Sequence, residues 1–105
     1  MILIKCTYKD ESFFRQLVDL YDEFNFISSF EGYDMNYSDT GKKGRLKCKS
    51  AFAAKEDPFV GIWRDGIPIK GFYSESNDCN INNVKEYLIQ LQNENAVGIT
   101  ESDES

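Results

Sequence analysis

At 105 residues, with 41% of them hydrophobic and 14% aromatic, the chain has the size and composition of one small folded domain. That excludes a two-domain enzyme, a large α/β barrel and a dinucleotide fold with a separate substrate domain. It contains no histidine and has a net charge of −6, which removes the commonest general base and metal ligand and every His-dependent triad.

Residues 2–8 are short, β-branched and aromatic, and predict a strand whose apolar start suits a central place in a sheet. Lys9, Asp10, Glu11 and Ser12 break the run. Asp10 or Ser12 can cap the following segment, because a short side-chain oxygen accepts from the free amides of a first turn. Between residues 13 and 24, Phe13, Leu17, Leu20 and Phe24 recur at helical spacing, with Arg15, Gln16, Asp19, Asp22 and Glu23 on the other face. Residues 26–30 predict a second strand and residues 31–44, rich in Gly, Asp, Asn, Ser and Lys, a loop. Residues 45–55 predict a short helix.

Phe59 to Trp63 reads as a third strand, Arg64-Asp65-Gly66 as a hairpin turn, and residues 67–73 as the returning strand. Pro68 cannot donate to a ladder, so it belongs at a strand start or an edge. After a polar loop over residues 74–80, Asn80 or Asp78 can cap a last helix bearing Ile81, Val84, Tyr87, Leu88 and Leu91 on one stripe. Residues 93–105 carry Glu94, Glu101, Asp103 and Glu104 with no basic residue, and read as an acidic, mobile tail behind a domain spanning 1–92. That domain holds 14 acidic and 12 basic residues and is close to neutral.

Cys6, Cys48 and Cys79 are odd in number and form no Cys-x-x-Cys, which suits free thiols in a reducing cytoplasm better than a disulfide scaffold. Lys5, Lys9, Asp10 and Glu11 interrupt any signal-peptide core, and no run approaches the roughly 20 apolar residues of a membrane span. The expectation is a cytoplasmic protein with no membrane partner.

The element order β-α-β-(α)-β-β-α predicts an α/β domain: a four-stranded mixed sheet with helices on both faces. With Asp57-Pro58-Phe59-Val60 it resembles the thioredoxin fold, nearest its small glutaredoxin-like members, over roughly residues 2–91. The resemblance implies a cis-proline at Pro58, just before the third strand and facing the site. Gly71 and the polar Ser74, Glu75 and Ser76 fall where glutaredoxin-like proteins bind the γ-glutamyl end of glutathione. Lys55 falls where they carry a basic residue for a glutathione carboxylate. Similar Pro-Phe-Val and Phe-Tyr-Ser-Glu stretches occur in small thioredoxin-like proteins of bacterial viruses, so a viral structural or host-modulating role is one expectation. The departure is at the first helix. Where the family has Cys-x-x-Cys, this chain has Lys9-Asp10-Glu11-Ser12, and neither Lys9 nor Ser12 can exchange a disulfide.

The expected function is therefore a noncatalytic thioredoxin-like module that binds a protein or peptide in the groove beside Pro58. Its expected contact residues are Lys9, Ser12, Lys55, Asp57, Pro58, Ser74 and Glu75. The alternative is a glutathione-linked oxidoreductase or transferase-like enzyme, with glutathione as cofactor or Cys48 as its sulfur. Lys47 and Lys49 flank Cys48 and would lower its thiol pKa by proximity, whereas Cys6 reads as strand core and Cys79 as an exposed bystander. The basic run over residues 42–49 has no interleaved aromatic for base stacking, which argues against nucleic acid and for a solvated face. The carboxylates and cysteines show no metal-ligand spacing, so no metal is expected. Asp10 and Glu11, adjacent at a helix start, suit capping rather than acid–base work.

Overall fold

The structure is a computed structural model that describes the backbone of residues 1–35 and 42–104 and the side chains of residues 1–35 and 47–94. The elements run β1 (Ile2–Tyr8), α1 (Glu11–Glu23), β2 (Ile27–Asp34), α2 (Lys42–Ala51), β3 (Phe59–Arg64), β4 (Ile67–Tyr73), a single 3-10 turn (Ser74–Ser76) and α3 (Ile81–Glu104). The four strands form one mixed sheet in the order β2-β1-β3-β4. β1 pairs parallel with β2 and antiparallel with β3, and β3 pairs antiparallel with β4. The α/β class, the four-stranded mixed sheet and the helices on both faces are as the sequence predicts.

Strand alternation sorts the core into two layers. Ile2, Ile4 and Cys6 of β1, Val60 and Ile62 of β3 and Phe72 of β4 pack with Leu17, Leu20 and Phe24 at α1 and Val84, Leu88 and Leu91 of α3. On the opposite face lie Lys5, Thr7, Phe59, Gly61, Trp63, Gly71 and Tyr73, against α2. The aromatic residues divide accordingly. Phe72 meets Tyr87 edge-on at 6.1 Å, while Phe59 lies 5.4 Å from Tyr73 on the other side.

Caps fix the helix starts. Asp10, not Ser12, caps α1, accepting the Ser12 N–H at 2.9 Å. Asn80 caps α3 by accepting the Asn83 N–H at 2.9 Å, and Asp78 is turned instead to the Tyr73 N–H at 2.6 Å. In the β3–β4 hairpin, Asp65 and Gly66 both have positive φ, +53° and +82°, the geometry that an Asp-Gly pair favours. Pro68 sits near the start of β4, an edge strand.

Three boundaries differ from the sequence reading. β2 runs to Asp34, past the predicted end at residue 30, because parallel pairing continues from Lys5↔Glu31 to Tyr8↔Asp34. An edge strand tolerates the polar residues that make this stretch read as loop. Gly32 is needed there, since a Cβ would collide with the Phe14 ring, which stacks on Tyr8 at 4.4 Å. α2 ends at Ala51 rather than near residue 55. The Ala54 N–H bonds the Lys49 carbonyl at 2.9 Å and the Ala53 N–H the Ser50 carbonyl at 3.2 Å, with Ala53 left-handed at φ +55°. This pair of bonds is a Schellman stop. α3 has helical backbone to Glu104, through the segment that reads as an acidic tail. The side chains of Lys42, Lys43 and Arg45, three of the five charges of the basic run, lie outside the described residues, as do residues 36–41 of the predicted loop.

The Schellman stop turns Phe52 back onto the sheet. There Gly61 and Gly71 face each other across β3 and β4, and a Cβ on either would stand 2.7 or 2.9 Å from the Phe52 ring. Gly71, which the resemblance assigns to a glutathione subsite, is thus explained by the ring packed on it. Replacing Gly61 with Ala crowds Phe52 and Trp63 together and is expected to cost about 1–3 kcal/mol. Ala53→Gly relieves the left-handed alanine and is expected to add ~0.5–1 kcal/mol. Urea denaturation with an unchanged slope checks both.

Candidate functional site

The corner at which β1 ends and β3 begins is built around Thr7, a fully buried polar residue on the α2 face. Its hydroxyl donates to Asp57 Oδ1 at 2.6 Å and accepts the Phe59 N–H at 3.0 Å, so the first amide of β3 is paired through a side chain. The other carboxylate oxygen, Asp57 Oδ2, accepts from Lys49 Nζ at 3.1 Å. Side-chain exposure is 10% for Asp57 and 16% for Lys49, which makes this a largely but not fully buried pair. The Asp57–Pro58 peptide bond is cis.

The rest of the corner is tied by single bonds. Ser74 Oγ donates to the Pro58 carbonyl at 2.8 Å. The Glu75 carboxylate accepts the Lys55 N–H at 2.8 Å, and this bond, helped by the N–H groups of Glu75 itself and Glu56, holds Glu75 below the usual carboxylate range. The Tyr73 hydroxyl donates to the Phe52 carbonyl at 2.8 Å. Residues 52–58 are therefore pinned to β4 and the turn after it at three points.

The structure thus brings five of the sequence-predicted residues together: Lys55, Asp57, Pro58, Ser74 and Glu75. The polar groups of Asp57, Ser74 and Glu75 are engaged within the corner, where they fix the loop's course. Lys9 and Ser12 stand at the C-terminal end of β1, the end of the sheet at which Pro58 enters β3. Ser12 is exposed, and Gln16 Nε2 lies 3.3 Å from its carbonyl and 3.4 Å from its Oγ, within the first turns of α1. Sequence reasoning missed Thr7, Phe52 and the role of Lys49. Thr7 carried a weak signal, as a short hydroxyl among apolar strand residues.

All three cysteines are free thiols. The expectation that Lys47 and Lys49 activate Cys48 is reversed. Cys48 is 2% exposed, and burial pushes its thiol from 9.0 to about 12, outweighing the opposing pull of Lys5 and Lys49. Its Sγ is 3.7 Å from the Lys5 carbonyl. Burial likewise pushes Cys6 well above the ordinary thiol range. Cys79 is half-buried against the core rather than an exposed bystander, and burial raises it to about 12. Among the described residues, no three Cys, Asp or Glu side chains gather to hold a metal ion, and no helix is long and apolar enough to cross a membrane.

Two outcomes are expected. Removing Asp57 strands both Thr7 and Lys49, so Asp57→Ala should cost about 3–5 kcal/mol, more than Thr7→Val, which leaves the ion pair, in parallel urea titrations. At pH 8 only about one Cys48 thiol in 10⁴ is ionised, so a chromogenic disulfide should react slowly with the native protein and with all three thiols in guanidinium. The linked stability runs in one direction. Below pH 9 these thiols are protonated in folded and unfolded chains alike. From 9 to about 12 only the unfolded chain releases protons, so Tm should fall as pH rises through that window.

No family model matches the chain, and no curated protein matches it. Five solved chains match. One, the crystal structure of a designed protein, superposes with a TM-score of 0.53 at 12% identity, over 83% of this chain and 80% of that one. At that identity the likeness is one of fold alone: a mixed four-stranded sheet with helices packed on it.

Proposed function

We propose that this chain is a thioredoxin-like binding module without thiol chemistry, which receives an extended protein or peptide segment at the corner beside Pro58. The observation that carries the reading is where sulfur is missing. Lys9, just before α1, and Ser12, in its first turn, occupy the positions that the resemblance assigns to the reactive pair of a thioredoxin-like enzyme, and the three thiols present are buried or half-buried, which favours their protonated form. A strand order of β2-β1-β3-β4 with Asp57–Pro58 entering β3 supports the same frame. The inward bonds of Asp57, Ser74 and Glu75 suit a rigid receiving surface, since a preformed loop loses little entropy when a ligand docks. The exposed Ser12 and the segment around residues 55–58 are then the contact surface.

A glutathione-linked enzyme is the competing outcome of one experiment. Labelled protein is titrated with a pool of extended octapeptides and with glutathione, and amide shifts are mapped. Peptide is expected to move residues 9–12, 55–59 and 73–75, while hydroxyethyl disulfide with glutathione gives no turnover above background. Ser12→Tyr, at an exposed position, is expected to weaken peptide binding about tenfold with a stability change within about 0.5 kcal/mol. Turnover above background, or peptide shifts confined to another face, overturns the reading.

A further inference from the structure

A lysine in the middle of a central strand is the least expected residue on the α2 face. Lys5 lies on β1, which is paired on both sides, and its side chain is 34% exposed. A cation drawn out of water this far needs a partner. Glu31 stands beside it in register on β2, and Glu31 Oε2 also accepts the Tyr33 hydroxyl at 2.5 Å. Lys5 Nζ is 4.0 Å from that same oxygen, the outer limit of pairing, and 5.7 Å from the centre of the Trp63 ring. Among the described residues, Glu31 is thus the anion paired with Lys5, at the outer limit of pairing and shared with the Tyr33 hydroxyl.

Lys5 opens into a cleft. Together with Tyr33, Lys47, Cys48, Ala51 and Trp63 it lines a space of about 240 Å³ between α2 and the sheet. Among the described side chains, α2 sets the small Cys48 and Ala51 along this space, with Trp63 of β3 also lining it. Trp63 in turn leans over Gly61, where a Cβ would lie 2.8 Å from its ring. Among the described residues the lining is of two kinds: the polar Lys5, Lys47 and Tyr33, and the apolar Trp63, Ala51 and Cys48.

We propose that this cleft binds a small planar organic monoanion of the aryl carboxylate kind, its carboxylate toward Lys5 and Lys47 and its ring against Trp63. Size limits the ligand to a single ring, since the volume falls below the ~300–1,000 Å³ of ordinary ligand pockets. Charge limits it to one negative unit, because Glu31 offsets one of the two lysines. An inorganic anion would leave the indole wall uncovered, and a neutral ring would bring no charge to the second lysine. The site lies on the α2 face and does not depend on the Pro58 corner receiving a peptide.

Trp63 is the only tryptophan in the chain, so its fluorescence reports the cleft directly. The protein is titrated with benzoate, benzamide and inorganic phosphate, with amide shifts followed in parallel. Benzoate is expected to give a saturable change at least tenfold tighter than either control, and to weaken several-fold between 0.05 and 0.5 M salt. Lys5→Gln is expected to lose at least tenfold. Lys47→Gln, an exposed helix position, should lose several-fold and keeps the test decisive if Lys5→Gln does not fold. Lys70→Gln, whose ammonium sits over Phe72 and Tyr87 on the other face, should bind as the parent does. The proposal fails if benzamide or phosphate matches benzoate, if no titration saturates, or if the folded Lys5 and Lys47 variants bind unchanged.

Discussion

The Asp57 carboxylate is where three elements of this fold are joined. One oxygen takes the Thr7 hydroxyl of β1, the other takes Lys49 of α2, and Thr7 passes the connection on to the first amide of β3. A carboxylate nine-tenths buried is tolerable only if both oxygens are satisfied, so the network is either complete or costly. The course of the chain into β3 follows from it. Pro58 is next in the chain, its carbonyl is held by Ser74, and the preceding loop is held by Glu75 at Lys55 and by Tyr73 at Phe52.

The two faces of the sheet solve the packing problem differently. Under α1 and α3 the layer is aliphatic and closed, with Val84 and Leu88 of α3 fully buried among Val60, Ile62 and Cys6. Under α2 it is aromatic and polar. Phe52 sits on the Gly61–Gly71 pair, with Trp63 edge-on at 5.0 Å and Phe59 at 5.3 Å. Phe52, just beyond the ten-residue α2, covers the Gly61–Gly71 pair, and the small Cys48 and Ala51 line the cleft beside Lys5. The chemistry of the molecule collects on this side for that reason.

How much of this was readable in the sequence depends on the range of the interaction. The α1 stripe, the Asp-Gly hairpin and the Asn80 cap are local, and they appear as read. The length of β2 is set by its pairing with β1, and the end of α2 by a left-handed Ala53, a position where glycine is the usual marker. Cys48 shows the limit most clearly. Two flanking lysines are visible in the sequence and argue for an acidic thiol. Burial is not visible, and its desolvation exceeds their pull. The site residues divide in the same way. That residues 55–58 and 74–75 would belong to one site was an expectation from the resemblance alone, since nothing local in the sequence joins them. That Ser74 and Glu75 are spent on holding the loop needed the side-chain geometry, as did the part played by Thr7.

Adjacent residues of α2 reach both the corner beside Pro58 and the cleft beside Trp63. Cys48 and Ala51 face the cleft, and Lys49, between them in sequence, reaches the other way to Asp57. A helix moves as a body, because each of its amides is bonded to the turn before it. A displacement of α2 that reshapes the cleft therefore also carries the backbone of Lys49, whose 3.1 Å contact with Asp57 then holds only if the flexible lysine stem readjusts. The corner beside Pro58 and the cleft beside Trp63 are chemically distinct but mechanically joined. The joint is the same buried ion pair on which the entry into β3 already depends.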